Sequence, residues 1–160
     1  MPTRAEAALA RAGCPSRVPV GQATPGGGLR ASLAYEAFCR DHWPVYRVFG
    51  TAAAGCARIG ADIARDALRD LACQWDLALQ AAAPAALAWG LLSAKCDPHH
   101  KGAVRRLRNA IGPREVDALL LRHRIGLPAP DAAHAMGLDG PGFDLLCSRA
   151  LRRITCLAPG

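Results

Sequence analysis

Residues 131–154 have the sequence DAAHAMGLDGPGFDLLCSRALRRI, which is the most informative segment of the chain for its fold. An alanine-rich helix is followed by Gly137, and a second helix begins after Asp139. Gly137 suits the turn because glycine adopts a positive φ at little cost, and Asp139 is a good N-cap for the second helix. Two short helices joined by such a turn indicate a helix-turn-helix, whose second helix is the one offered to a DNA groove.

The second helix is predicted to have one buried face and one basic face. Its apolar residues recur at helical spacing and are expected in the core: Phe143, Cys147, Ala150, Leu151 and Ile154. Its polar residues are predicted to contact DNA phosphates: Ser148, Arg149, Arg152 and Arg153. An earlier basic cluster is predicted to do the same: Arg105, Arg106 and Arg108. For both clusters, the alternative is an ordinary solvated surface.

The start of the second helix carries side chains that are poorly suited to reading DNA. Asp144 would be repelled by the phosphate backbone, and neither Leu145 nor Leu146 can make bidentate contacts with bases. Either DNA recognition is weak and degenerate, or the face formed by Leu145 and Leu146 binds another protein. A third interpretation buries one of the two leucines inside the protein.

The composition favours an all-α protein. Apolar residues make up 51% of the 160 residues and aromatic residues only 5%, with Ala and Leu the main apolar types. Ala and Leu favour helix, and no stretch alternates apolar and polar side chains as a half-buried strand would. The length fits one domain or two small ones. We predict two small helical domains, of which the C-terminal one is a helix-turn-helix.

The positive charge is concentrated toward the C-terminus. The formal net charge is +7, and residues 101–160 contribute +5 of it through ten basic and five acidic side chains. A basic C-terminal half fits a nucleic-acid partner. The alternative is an arginine-rich composition without functional meaning.

The cysteines and histidines do not form a recognisable metal or catalytic motif. The seven cysteines occur without a CxxC pair, which indicates reduced cysteines in a cytoplasmic protein. Residues 96–100, CDPHH, lack the second ligand pair of a structural zinc site, so we expect neither a metal nor a cofactor. The histidines also lack a nucleophile with an orienting partner, so we do not expect an enzyme.

No apolar run approaches the ~20 residues of a membrane span, so we expect no membrane partner.

Composition and helical periodicity divide the chain into four segments. A disordered tail is predicted over residues 1–30, a helical domain over 31–96, a linker over 97–103 and the helix-turn-helix domain over 104–156. Pro44 predicts a kink or a new helix start at residues 41–44. The clearest amphipathic helix has its apolar face at Ile59, Ile63, Ala67, Leu68, Leu71 and Trp75. On its other faces, i,i+3 spacing predicts two ion pairs: Asp62 with Arg65 and Asp66 with Arg69.

These segments resemble, in order and spacing, the extracytoplasmic-function class of bacterial RNA polymerase sigma factors. The C-terminal resemblance rests on IGPREV at 111–116, MGL at 136–138 and SRALRRI at 148–154. The N-terminal resemblance rests on FCRDHWPVYR at 38–47, GADIARD at 60–66 and AW at 88–89. Together the two parts cover about residues 34–95 and 104–154.

The resemblance implies a protein that binds RNA polymerase core and directs it to promoter DNA. It also implies an anti-sigma or other regulatory protein as a further partner. By resemblance, four residues of the amphipathic helix would bind the polymerase: Asp62, Arg65, Asp66 and Arg69. Trp89 and Lys95 would contact DNA near the minus-ten element, and the arginines of the last helix would contact DNA near the minus-thirty-five element.

Several positions depart from the family pattern. Ala61 stands where the family has an acidic residue, residues 93–97 lack its basic, Asn-containing stretch, and residues 142–146 lack its DNA-reading side chains. Two other interpretations therefore stay open. One is a sigma-derived regulator that acts through protein contacts without recognising promoters. The other is a free-standing helix-turn-helix protein that dimerises through its N-terminal half.

Overall fold

The computed structural model describes residues 25–81 and 83–157, with side chains from residue 31 onward, and this part of the chain is helical and contains no strand. The predicted all-α fold is confirmed. The helices are α1 (Pro25–Ala54), α2 (Ala57–Ala72), α3 (Trp75–Gln80), α4 (Pro84–Cys96), α5 (Gly102–Ile111), α6 (Pro113–Leu119), α7 (Ala129–Met136) and α8 (Gly140–Leu157). A 3-10 turn at Asp97–His99 follows α4, and a π-helical segment at Leu120–Ile125 continues α6.

α1 is one continuous helix of 30 residues, so the predicted break at residues 41–44 is wrong. Pro44 removes one backbone donor, but it is exposed, and water can satisfy the carbonyl that is left without a partner. Burial of His42 on one side of Pro44 and of Tyr46 on the other fixes the helix direction across it. The last six residues of the predicted disordered tail are also helical, whereas residues 1–24 lie outside the described part of the chain.

α1 and α2 pack closely because each contributes a glycine to the contact. A Cβ placed on Gly50 would lie 2.6 Å from the carbonyl oxygen of Gly60. A Cβ placed on Gly60 would in turn overlap the backbone of Thr51. The two helix backbones therefore touch at a distance that only glycine permits.

The predicted apolar face of α2 is confirmed, since Ile63, Ala67, Leu68 and Leu71 are buried and Ile59 is half-buried. These residues belong to one hydrophobic cluster that draws on both halves of the chain. Its largest buried members are Tyr46, Phe49, Leu71, Trp89, Leu92, Leu121, Met136 and Phe143. Helices on both sides of residues 97–103 thus share one core. The division into two domains with a linker at 97–103 stays a prediction.

The turn between α7 and α8 has the predicted conformation. Gly137 adopts φ +66°, and the carboxylate of Asp139 accepts a hydrogen bond from the backbone N–H of Gly142 at 2.8 Å. Phe143 and Ala150 then bury one side of α8, as predicted. Leu151 is 49% exposed, so its assignment to the core is wrong. It follows Ala150 directly and therefore points about 100° away from it around the helix.

Candidate functional site

The predicted DNA-contacting residues of α8 differ in how freely they reach solvent. Ser148, Arg149 and Arg152 are exposed. Arg153 is partly engaged, because its Nη1 donates to the carbonyl of Ile111 at 2.6 Å and lies 3.6 Å from the Glu115 carboxylate. Arg153 thus ties α8 to the junction between α5 and α6. The other three side chains remain available to a ligand.

The second predicted basic cluster splits between surface and core. Arg105 and Arg106 are exposed on α5, whereas Arg108 is only 5% exposed. α5 packs against α6 and α8 through a small apolar cluster centred on Ile111, Val116 and Ala150. Arg105 and Arg106 are therefore carried by the same group of helices as Arg149 and Arg152. Arg108 belongs to a buried network instead.

This buried polar network joins α4 to α5 and α6. Arg108 Nη1 donates to one carboxylate oxygen of Asp117, and Arg108 Nε donates to Asp97 at 2.9 Å. The other Asp117 oxygen accepts hydrogen bonds from the Ser93 hydroxyl at 2.5 Å and from the Trp89 indole at 3.2 Å. Burial raises the pKa of Asp117, and the charge of Arg108 with the hydrogen bonds offsets part of that rise. No pattern in the sequence singles out Asp117.

The network overturns the predicted role of Trp89. Its side chain is only 2% exposed, and its ring packs against Phe49 at 4.7 Å and Tyr46 at 5.8 Å between centroids. A ring enclosed in this way cannot stack on an unpaired base, so the predicted DNA contact of Trp89 is wrong in this arrangement. Lys95, predicted to contact the same DNA region, lies 2.7 Å from the carboxylate of Asp70.

The predicted polymerase-binding residues form an exposed row on α2. The two i,i+3 ion pairs are confirmed: Arg65 lies 2.6 Å from Asp62, and Arg69 lies 2.7 Å from Asp66. The Arg65 guanidinium also lies over the Trp43 ring, 5.9 Å from its centroid. The row carries no net charge, and each of its side chains is at least half exposed.

The two leucines at the start of α8 have different surroundings. Leu145 is 56% exposed, whereas Leu146 is half-buried against the main core, which agrees with the interpretation that one of them is covered. Both line a surface cleft of about 300 Å³ that also includes Leu138. Arg114 and Arg149 lie at this cleft as well. Glu115 also lines the cleft, which therefore combines leucine side chains with charges of both signs.

A cluster that no local sequence pattern indicates joins α1 to α7. The His134 Nε2 lies 2.5 Å from the Asp41 carboxylate, and the His42 Nδ1 lies 3.5 Å from the same oxygen. The hydrogen bond to His134 lowers the pKa of Asp41, and burial lowers the pKa of His42. Asp41 and His42 are adjacent in the sequence, but no local pattern connects them to a residue 93 positions away.

Residues 96–100 do not assemble a metal site. Cys96 is fully buried, and burial raises the pKa of its thiol to about 12. Asp97 is bonded to Arg108, and His100 is buried beside the Phe49 ring. The segment is helical for most of its length, because Cys96 is the last residue of α4 and Asp97–His99 form the 3-10 turn.

Within residues 25–81 and 83–157, no helix combines the length and apolar character needed to cross a membrane. Comparison of the chain with protein-family models, curated proteins and solved structures finds no match in any of the three.

Proposed function

We propose that this protein is a sigma-type transcription factor that binds RNA polymerase core and contacts upstream promoter DNA through α8. The observation that carries the proposal is the exposure of Ser148, Arg149 and Arg152 on a helix anchored from its other side by Phe143 and Ala150. A helix held in this way behind a glycine-containing turn can present cations to phosphates without losing its own packing.

The proposed DNA contact is mainly electrostatic. The exposed residues at the start of α8 include Asp144 and Leu145, which offer no donor to a base edge. Arg149, Arg152, Arg105 and Arg106 would supply salt-dependent affinity with little preference for sequence. Promoter choice would then depend on the polymerase and on DNA shape rather than on direct reading by α8.

The exposed row of α2 is the proposed polymerase contact. Its two ion pairs are solvent-exposed, and such pairs are worth only about 0–1 kcal/mol each. A partner can therefore exchange them for intermolecular pairs at small cost. Trp43 stands behind Arg65 and limits the directions in which that guanidinium points.

Because of the position of α4, the proposed contacts are limited to RNA polymerase core and upstream promoter DNA. Trp89 and Ser93 are covered by Asp117 of α6, so neither of these side chains can reach a melted strand in this arrangement. A role of α4 in opening the minus-ten region would require α4 and α6 to separate, which would break the network around Asp117.

Co-purification with RNA polymerase core, followed by run-off transcription, tests the proposal. We expect stoichiometric binding by the wild-type protein, loss of binding by the double variant Asp62→Arg/Asp66→Arg, and normal binding by Glu36→Arg/Asp76→Arg. The control changes the charge by the same amount at two other exposed positions. Absence of wild-type binding, or equal loss in both variants, would contradict the proposal.

The exposure of Leu145 favours a second candidate, a regulator that works through protein contacts at the cleft described above. In that case Leu145→Arg would disrupt a complex with the partner protein and raise the affinity for DNA. Reduced DNA affinity in this variant would count against the regulator and in favour of direct DNA contact by α8.

A further inference from the structure

The cluster of Asp41, His42 and His134 brings three metal-binding side chains together from two distant helices. One ligand atom from each of the three residues lies within 4.8 Å of the other two. Asp41 and His42 come from α1, and His134 comes from α7. Two imidazoles and one carboxylate are the ligand types preferred by zinc and its neighbouring divalent metals. Calcium and magnesium prefer sites made of oxygen ligands alone.

We propose that Asp41, His42 and His134 bind one divalent transition-metal ion of the zinc class. Bonds from such an ion to nitrogen or oxygen are about 2.0–2.2 Å long, so at tetrahedral angles its ligand atoms lie about 3.3–3.6 Å apart. The ligand atoms of the cluster lie within 4.8 Å of one another, and the closest pair, His134 and Asp41, is hydrogen-bonded at 2.5 Å. An ion would replace this hydrogen bond and move the two side chains apart. Asp41 and His134 have more than half of their side-chain surface exposed and can adjust by small rotations.

The surroundings of His42 give independent support for a ligand. Its Nδ1 donates to the carbonyl oxygen of Phe38 at 3.1 Å and lies 3.5 Å from Asp41, whereas its buried Nε2 makes no hydrogen bond of normal geometry among the described residues. The backbone of His134 also lies near this ring. An unpartnered buried nitrogen is costly, and a bound ion is one way to satisfy it. A backbone hydrogen bond from one ring nitrogen, which leaves the other nitrogen bare, is the usual arrangement of a metal-binding histidine.

A comparison with His100 strengthens this assignment. His100 is the other described residue whose buried Nε2 lacks a partner. However, His100 belongs to no cluster of three metal-binding groups among the described residues, whereas His42 stacks on His134 at 4.8 Å between ring centroids and lies next to Asp41. The combination of a bare nitrogen and two further ligands therefore occurs at His42.

A metal at this site would link α1 to α7. The two helices already meet where the Tyr46 hydroxyl faces the carbonyl of Ala135. Three protein ligands leave one coordination position to water, which reaches the site through the exposed side of Asp41 and His134. Binding to the folded protein alone would raise its apparent stability with metal concentration.

Equilibrium dialysis with Zn²⁺ tests the proposal on the full chain. We expect one ion per chain for wild type, at least tenfold weaker binding for Asp41→Asn and His134→Gln, and unchanged binding for His123→Gln, an exposed histidine outside the cluster. Asp41→Asn keeps the size of the side chain at an exposed position, so this variant is expected to fold. Thermal unfolding with a chelator present confirms the folding of each variant.

Cobalt spectroscopy distinguishes this site from binding by the cysteines. We expect Co²⁺ to give visible d–d bands that His134→Gln abolishes, without a thiolate charge-transfer band in the near ultraviolet. A thiolate band, or wild-type affinity in both Asp41→Asn and His134→Gln, would overturn the assignment. A wild-type protein that binds no ion in dialysis would overturn it as well.

Discussion

Gly137 lies directly against the backbone of Ala86, so that the turn between α7 and α8 is seated on the first turn of α4. A Cβ on Gly137 would come within 2.8 Å of the Cα of Ala86 and closer still to its nitrogen. Gly137 also has φ +66°, a conformation that L-residues rarely adopt. Position 137 therefore requires glycine for two reasons, the positive φ of the turn and the close contact with Ala86.

The variant Gly137→Ala is expected to be strongly destabilised. The left-handed backbone costs about 1–2 kcal/mol for alanine, and the overlap with Ala86 adds about 1–3 kcal/mol of overpacking. Gly126→Ala is the matched control, because Gly126 has φ +82° but a Cβ there would meet nothing within 4 Å. Urea unfolding of both variants measures the difference, and equal losses would show that the contact with Ala86 contributes nothing.

Substitution by alanine is expected to have opposite effects at two helical glycines, one inside the contact between α1 and α2 and one outside it. Gly60→Ala should destabilise the protein by about 1–3 kcal/mol, because the new methyl group would overlap Thr51. Gly90→Ala should be neutral or stabilising by about 0.5–1 kcal/mol, since Gly90 lies in α4 with open space around it. Thermal unfolding of the two variants checks this. A Gly60→Ala protein as stable as Gly90→Ala would refute the close approach of the helices.

Removal of the Asp117 charge should be far more damaging than removal of the Asp97 charge. Asp117→Asn leaves Arg108 buried without its main partner, which typically costs about 3–5 kcal/mol. Asp97→Asn removes a partner that is 61% exposed and should cost less than about 1 kcal/mol. Urea unfolding measures the loss of stability in each variant as a shift of the midpoint at an unchanged slope. Similar losses in the two variants would show that the network does not depend on Asp117.

His100 should make the folded state sensitive to acid. Burial lowers its pKa from 6.5 to about 4, and Arg108 adds to the decrease. Arg124 and His99 lower this pKa further, whereas Asp97 raises it. Because the unfolded chain binds the proton more readily, the stability contributed by neutral His100 is complete above pH 6.5 and is lost as the pH falls toward 4.

The variant His100→Leu should therefore lose less stability than wild type across that pH range. Urea unfolding at several pH values between 6.5 and 4 measures how the free energy of unfolding of each protein changes with pH. His123→Leu is the control, because His123 is exposed and should leave the pH dependence as it is in wild type. Parallel curves for wild type and His100→Leu would show that His100 titrates normally in the folded protein.

The proposed DNA contact predicts a change in salt dependence. Arg149→Ala/Arg152→Ala should weaken binding to duplex DNA and lower the slope of log affinity against log salt by about 2, since each phosphate contact contributes about 0.9. Arg40→Ala/Arg47→Ala removes two exposed arginines from α1 and should leave the slope unchanged. Fluorescence anisotropy over a salt series measures both. An equal decrease in the two variants would indicate attraction to net charge alone.

The sequence determined the features that depend on near neighbours along the chain. The helical class, the apolar face of α2, its two i,i+3 ion pairs, the positive φ of Gly137 and the Asp139 cap were all predicted correctly. Each rests on residues within about four positions, where helix periodicity and capping chemistry act. Such local rules hold for a helix whatever it packs against.

Tertiary structure alone decided which polar and aromatic residues meet. Trp89 is enclosed because α6 brings Asp117 to its indole, and α1 remains one helix through Pro44 because packing on both sides fixes its direction. Asp41 meets His134 only because α1 and α7 share a core. Burial and the pairing of distant side chains depend on how all the helices pack together, and no local pattern encodes that packing.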